Sequence, residues 1–117
     1  MMQTPKTTNG VLVLTLTANR IDAAGAVHFK DDFKAATASC GGRVLLDLAS
    51  VTFMDSSGLG AMVAALKSLG GRKLELCNLT AAVDKVFRLT RMDKVFIVHA
   101  DIEQALANSD AKGVDAA

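Results

Sequence analysis

The sequence has no tryptophan or tyrosine, a single proline and only two cysteines. Its only aromatic residues are five phenylalanines, so a core must be built mainly from the aliphatic side chains that dominate its 50% hydrophobic content. Thirteen Lys and Arg against twelve Asp and Glu leave a net charge of +1. This balance lacks the basic footprint that nucleic acid or an anionic membrane surface requires. The composition therefore predicts neither nucleic acid nor membrane as a partner.

Long hydrophobic runs are also missing. The longest apolar stretches, 59–66 and 95–98, are far shorter than the roughly 18 residues of a membrane span. The N-terminal segment Met1–Lys6 has no apolar core of the kind found in signal peptides. At 117 residues the chain has the length of one domain with a real core. We therefore expect a single-domain cytoplasmic protein.

The two cysteines, Cys40 and Cys77, have no metal-binding spacing. Cys77 ends a predicted buried strand, where a free thiol acts as a small hydrophobe. Cys40 precedes Gly41 and Gly42 in a predicted loop and is expected to be exposed. A cytoplasmic location disfavours a disulfide. No cofactor or metal is predicted.

The chain is organised around a strand, a short loop and a helix. Segment Arg43–Leu48 is apolar without alternation, which predicts a central strand covered on both faces. The helix that follows ends at Gly70 and has one predicted buried face, made of Leu59, Met62, Val63 and Leu66. Ser56 and Ser57 fall at its start, where free backbone N–H groups and the positive end of the helix dipole favour a phosphate.

The other elements complete an α/β pattern. An Asn9-Gly10 turn predicts a hairpin between a weak edge strand at 3–8 and a strand at 11–17. Asp22 caps a helix running from Ala23 to about Ala38. The remaining predicted elements are loops at 18–21 and 49–54, strands at 73–77 and 94–98, a helix capped by Thr80 with Val83, Val86 and Phe87 inward, and a helix opening at Asp101.

This order predicts a single α/β domain over residues 1–108, with a disordered tail at 109–117. Its sheet should be mixed and mostly parallel, with four to five strands, an antiparallel N-terminal edge strand and about four helices. Because parallel strands end at a common edge, the loops that contain Asp22 and Asp55 can open at the same end of the sheet. Capping alone also explains both residues. Likewise, Ala61, Ala64 and Ala65 form either a low-relief docking surface or simply a run of good helix formers.

An enzymatic site is not evident in the sequence. Ser56 is not in a Gly-x-Ser-x-Gly turn, and as a hydrolase nucleophile it would need His28 or His99 as its base. Both histidines are predicted to be solvated or at an edge. Gly58 and Gly60 lack the lysine of a phosphate-binding loop. A hydroxyl at an exposed helix start remains, and it suits a substrate of a protein kinase.

The string Phe53-Met54-Asp55-Ser56-Ser57-Gly58-Leu59-Gly60 resembles the signature of the anti-sigma factor antagonist family, the bacterial STAS domains. The resemblance extends through Ile21-Asp22 and 79–89, and covers about residues 11–106. It implies the family's fold and phosphorylation of Ser56 by an anti-sigma factor with serine kinase activity, reversed by a serine phosphatase. The unmodified protein would bind that anti-sigma factor.

The residues predicted to bind the partner, at the sheet edge near Ser56 and on the small-residue face of the helix, are Asp22, Asp55, Ser57, Gly58 and Ala61. In one place the chain departs from the family, because a Gly common before the first helix is absent and Arg20 lies beside Asp22. This departure changes the surface chemistry around Asp22, and it therefore bears on which partner the protein binds. The alternative is a constitutive STAS interaction subunit of a sensory or secretion-control assembly, in which Ser56 is only a cap.

Overall fold

The computed structural model describes residues 1–108. Within this range the chain forms seven strands and four α-helices. The strands are β1 (Lys6–Thr8), β2 (Val11–Thr15), β3 (Arg20–Ile21), β4 (Arg43–Asp47), β5 (Phe53–Met54), β6 (Leu74–Cys77) and β7 (Ile97–His99). The helices are α1 (Ala23–Thr37), α2 (Ser56–Ser68), α3 (Ala81–Leu89) and α4 (Ile102–Ala107). The predicted tail at 109–117 lies outside the described residues.

Five strands form the main sheet in the order β1-β2-β4-β6-β7. Only β1 and β2 are antiparallel; the other neighbours run parallel. The β1–β2 turn has positive φ at Asn9 (51°) and Gly10 (78°), as a tight hairpin turn requires. The predicted mixed sheet with an antiparallel N-terminal edge strand is therefore confirmed.

Three helices cover one face of this sheet, and α4 covers the other. Alternate residues of β4 divide between the faces: Val44 and Leu46 join the larger core with α1, α2 and α3, whereas Leu45 joins a smaller core with Ala105 of α4. A central strand buried on both faces is the predicted arrangement for β4. No helix within residues 1–108 is long and apolar enough to cross a membrane.

Two predicted loops contain short strands. Residues 20–21 and 53–54 pair in parallel as β3 and β5, with Arg20 opposite Phe53 and Ile21 opposite Met54. Strands of two residues are too short to produce a hydrophobic period in the sequence.

The last strand is also shorter than predicted. Residues Met92–Lys94 form a 3₁₀ turn, and β7 begins only at Ile97. Arg91, at φ 62°, starts this turn in the left-handed region. The turn directs Phe96 into the core, where its ring lies 5.5 Å from that of Phe87.

Most of the helix caps are the residues predicted from the sequence. Asp22 and Asp101 each accept a hydrogen bond from a backbone N–H of the first turn. Thr80 stands before α3 but makes no capping bond, because its hydroxyl donates to the carbonyl of Val51 at 2.7 Å. In α3 Val83 and Phe87 are buried as predicted, and Val86 is half-buried.

Candidate functional site

The pairing of β3 with β5 sets two aspartates side by side. Asp22 follows β3 and Asp55 follows β5, each one position beyond the last paired residues, Ile21 and Met54. Both aspartates continue in extended backbone, with φ −103° and −100°. Since neighbouring strands are about 4.8 Å apart, the two Cα atoms lie on the order of 5 Å from one another. The predicted shared edge for these two loops therefore exists.

Each aspartate caps the helix that follows it. The Gly25 N–H donates to Asp22 Oδ1 at 3.0 Å, and the Gly58 N–H donates to Asp55 Oδ1, also at 3.0 Å. The hydrogen bond from Gly25, aided by the charge of Arg20, lowers the pKa of Asp22 below its ordinary value of 3.8. Asp22 is therefore ionised at neutral pH, beside the start of both helices.

The two serines of α2 are exposed and play no part in capping. Ser56 is the first residue of the helix and Ser57 the second. Within residues 1–108 neither hydroxyl makes a hydrogen bond, and the capping role belongs to Asp55, which accepts the N–H of Gly58. Their own backbone N–H groups belong to the unpaired first turn of the helix. An exposed hydroxyl at a positively polarised helix end is thus available for chemistry.

Gly58 and Ala61, which the sequence predicts as partner-binding residues, are buried inside the domain. A Cβ on Gly58 would overlap the carbonyl oxygen of Ile21 and lie 2.8 Å from Met54 Cγ. Ala61 is only 3% exposed. Both residues therefore serve internal packing and cannot present a contact surface.

The predicted buried face of α2 is also wrong in part. Ala61, Ala65 and Met62 point inward, whereas Val63 is only half-buried. The reason is that α2 packs along α1 through small side chains, which allow two helix backbones to approach closely. Ala64 lies half-buried beside a groove between the two helices.

Sequence reasoning missed the part played by Arg20. Its guanidinium carbon lies 4.3 Å from the centre of the Phe53 ring, and its Nε lies 3.7 Å from Asp22 Oδ2. Phe53 is 39% exposed, so this pair forms an amphipathic rim beside the serines. The signal was the basic residue at position 20, in a stretch that lacks the glycine common before the first helix, but its neighbour on β5 becomes visible only with the β3–β5 pairing.

The histidines do not complete a catalytic site with Ser56. His28 is exposed on α1, as predicted. His99 is only 6% exposed, which corrects the predicted edge position, and its Nε2 lies 2.8 Å from Glu75 Oε1. Residues 1–108 contain no cluster of three metal-ligating side chains.

Glu75 is the centre of a buried charge cluster on the α4 side of the sheet. It accepts two hydrogen bonds from Arg43, at 2.6 and 2.7 Å, and Arg43 also donates to the Ala105 carbonyl. Burial raises the pKa of Glu75, but the bonds from Arg43 and His99 outweigh it, so the pKa falls below 4.5. The hydrogen bond between Arg43 and Glu75 raises the pKa of Arg43. This cluster ties α4 to the sheet, and its charged groups bind one another rather than an external ligand.

The cysteines are free. Cys77 is buried as predicted, and burial raises its pKa to about 12. Cys40 is half-buried rather than exposed, because it packs against the larger core.

Three comparisons bear on this fold and site. The STAS domain family matches residues 3–105. The anti-sigma-B factor antagonist of Listeria monocytogenes is 40% identical over 72 residues, which make up 62% of this chain and 62% of the relative. The aligned stretch therefore spans less than two thirds of that relative.

Solved structures agree with the fold. A STAS domain protein of Planctomyces limnophilus, an anti-sigma-factor antagonist, superposes with a TM-score of 0.81 at 22% identity, over 92% of this chain and 96% of that one. The anti-sigma factor antagonist SpoIIAA of Bacillus matches in its unphosphorylated form with a TM-score of 0.70, at 20% identity and over 97% of each chain. The phosphorylated form of SpoIIAA superposes with a TM-score of 0.61 at 17% identity, over 99% of this chain and 98% of that one. The family match spans nearly all described residues and agrees with the observed sheet order, and the chain therefore belongs to the STAS domain family.

Proposed function

We propose that this protein is an anti-sigma factor antagonist controlled by phosphorylation of Ser56. In its unmodified form it binds an anti-sigma factor that has serine kinase activity, and that partner phosphorylates Ser56 and is then released. A separate serine phosphatase restores the binding form. The protein acts as a binding module and a kinase substrate, not as an enzyme. The names of its relatives support this proposal, as does a family member known in phosphorylated and unphosphorylated forms.

One observation carries the proposal. The hydroxyl of Ser56 is exposed and makes no hydrogen bond within residues 1–108, because Asp55 performs the capping. A serine that served only as a cap would direct its oxygen to a backbone N–H of the first turn. Ser56 instead presents its oxygen to solvent, as a kinase substrate must. This arrangement argues against the alternative in which Ser56 is only a cap.

A phosphate on Ser56 should hardly disturb the isolated domain. It adds about −1.5 to −2 charges at neutral pH. The helix end favours that charge by about 0.3–1 kcal/mol, whereas Asp22 and Asp55 repel it. These positions are partly exposed, so the repulsion is screened and costs about 1 kcal/mol or less. The opposing effects nearly cancel, and the fold is retained.

The same phosphate should prevent tight binding. In a complex Ser56 would face a surface shaped for a neutral hydroxyl, from which water is excluded. A charged group buried there without a partner costs several kcal/mol. Because 1.4 kcal/mol corresponds to a tenfold change in affinity, a loss of roughly 100-fold or more follows. Asp55 and Ser57 flank Ser56 in the chain, and Asp22 follows the strand paired with β5; these residues complete the proposed contact surface, with the Arg20–Phe53 rim.

The acceptor is tested by incubating the protein with its cognate kinase and ATP and locating the phosphate by mass spectrometry. Ser56→Ala and Ser57→Ala form a matched pair, because both hydroxyls are exposed and neither caps the helix. We expect phosphorylation of the parent and of Ser57→Ala, and none of Ser56→Ala. Phosphate on Ser57 in the parent would overturn the assignment. A protein that no cellular kinase modifies, yet binds its partner, would support the constitutive alternative.

A further inference from the structure

The charges of the chain are unevenly distributed around α2. From Ser56 to Val83 the sequence contains a single acidic residue, Glu75. That residue is 2% exposed and bound to Arg43 and His99 on the α4 side of the sheet. No acidic side chain of this long segment therefore reaches the surface near the C-terminal end of α2, although the whole chain is almost neutral.

A groove opens at that end of the helix and encloses about 440 Å³. The residues that line it, hereafter the basic groove, are Leu66, Lys67, Gly71, Arg72, Lys73 and Val95. Leu66 and Val95 are half-buried and pack against the larger core, so they form an apolar floor. Three cationic side chains surround this floor. At 1.5 Å per helical residue, Lys67 lies about 16 Å along α2 from Ser56.

Of the three cations, Arg72 alone makes side-chain hydrogen bonds within residues 1–108. The carbonyls of Leu66 and Lys67 at the end of α2 accept backbone N–H groups from Leu69 and Gly70. Arg72 donates to the carbonyls of Leu69, at 3.1 Å, and Gly42, at 2.5 Å. Arg72 is therefore held in place as one wall of the groove.

Lys67 and Lys73 are exposed and take part in none of the ion pairs of residues 1–108. Lys94, which is also exposed, directly precedes Val95 in the chain. The basic groove thus presents free ammonium groups around an apolar floor.

We propose that the basic groove binds an acidic segment of a partner protein, with an apolar side chain seated on Leu66 and Val95. The occupant is inferred from charge complementarity, since no acidic residue of the described part of the chain lines the groove and neither Lys67 nor Lys73 takes part in an ion pair there. The groove has no aromatic side chain on which a nucleic acid base could stack, and its apolar floor suits a peptide. The domain therefore carries a second interaction surface, separate from Ser56 and able to be occupied in both phosphorylation states.

The test uses the full chain and a fluorescein-labelled hexapeptide, Glu-Leu-Glu-Glu-Leu-Glu. Amide NMR spectra should show saturable shifts at residues 66–73 and at Val95, but not at the start of α2. The glutamine analogue of the peptide should not bind. Raising the salt from about 50 to about 300 mM should weaken binding, because it screens exposed charges. This salt dependence tests the mechanism in the parent protein without a substitution.

Two double variants locate the site. Lys67→Gln with Lys73→Gln should weaken peptide binding about tenfold, the combined effect of two exposed ion pairs. The control is Lys30→Gln with Lys34→Gln, because these α1 lysines line a groove that also contains Asp31. The control should change the affinity less than about twofold. Neither pair touches Ser56, so phosphorylation by the kinase should proceed in both.

Several results would overturn this inference: no saturable shifts, shifts at Ser56 instead, equal weakening in the two double variants, or tighter binding of a DNA duplex than of the peptide. Failure here leaves the role of Ser56 intact, because phosphorylation is measured separately on the same proteins. Conversely, peptide binding that persists in Ser56→Ala and in the phosphoprotein would support two independent surfaces.

Discussion

Two glycines in the first turns of α2 provide a sharp test of how the site is built. Gly58 and Gly60 are both helical, but their surroundings differ. A Cβ on Gly58 would overlap the Ile21 carbonyl oxygen and approach Met54 Cγ to 2.8 Å, whereas a Cβ on Gly60 would have nothing within 4 Å. The same substitution by alanine should therefore have opposite effects at the two positions.

The magnitudes follow from helix propensity and packing. Alanine in place of glycine in an open helix stabilises a protein by about 0.5–1 kcal/mol, so Gly60→Ala should gain that amount. Gly58→Ala has the same gain, but the obstacle is backbone of β3 and cannot rotate away. Overpacking of this kind costs about 1–3 kcal/mol or more, so the net effect is destabilising.

The assay is urea denaturation of the parent and both variants, supported by melting temperatures. At roughly 4 °C per kcal/mol for a domain of this size, the two variants should melt on opposite sides of the parent. Because Gly58→Ala separates β3 from α2, it should also slow phosphorylation of Ser56, whereas Gly60→Ala should not. A Gly58→Ala protein as stable as the parent would refute the close approach of α2 to β3.

Three further predictions concern the capping residue Asp22, the buried Glu75 and the two cysteines. Asp22→Asn, which keeps the helix cap, should leave the free energy of unfolding nearly unchanged yet weaken partner binding, as calorimetry can show; equal affinity would remove Asp22 from the contact surface. Glu75→Gln should destabilise the fold by up to about 3–5 kcal/mol at pH 7 in urea denaturation, because it leaves the half-buried Arg43 without its anion. In the parent protein the lowered pKa of Glu75 adds stability that is fully present above pH 4.5 and is lost as the pH falls through the pKa of the folded state. Urea denaturation at neutral and acid pH should show this loss of stability in the parent. The Glu75→Gln variant should not show it. A thiol reagent at pH 8 should modify Cys40 but not Cys77, whose pKa is about 12, until the protein is unfolded; rapid labelling of native Cys77 would contradict its burial.

The elements that carry strong local signals were predictable from the sequence. Asp22 and Asp101 mark helix starts because a short carboxylate suits the free N–H groups there. Gly70 and Gly71, at φ 63° and 96°, follow the end of α2 because they adopt the left-handed backbone cheaply. These signals act over a few residues and do not depend on the rest of the fold.

The β3–β5 pair was missed, although the sequence contains a trace of it. Ile21-Asp22-Ala23-Ala24-Gly25 and Met54-Asp55-Ser56-Ser57-Gly58 share an apolar residue, an aspartate and a glycine at the same spacing. The structure explains the match, because each aspartate accepts the N–H of its own glycine. The two turns share this capping bond, and only the second offers hydroxyl groups.

Other features could not be read from local pattern. The inward face of α2 depends on its packing against α1, which favours Ala61 and Ala65 over the larger Val63. The burial of His99 depends on the strand register that brings it next to Glu75. Packing and register are tertiary properties, so periodicity within a single segment does not determine them.

The central claim is that a single phosphate on Ser56 ends partner binding without altering the fold. The most direct measurement compares the affinity of the unmodified and phosphorylated proteins for the anti-sigma factor, with amide spectra of both recorded under the same conditions. We expect roughly 100-fold weaker binding by the phosphoprotein, with spectral changes confined to the surroundings of α2's first turn. Undiminished binding, or loss of the native spectrum throughout the domain, would contradict the account.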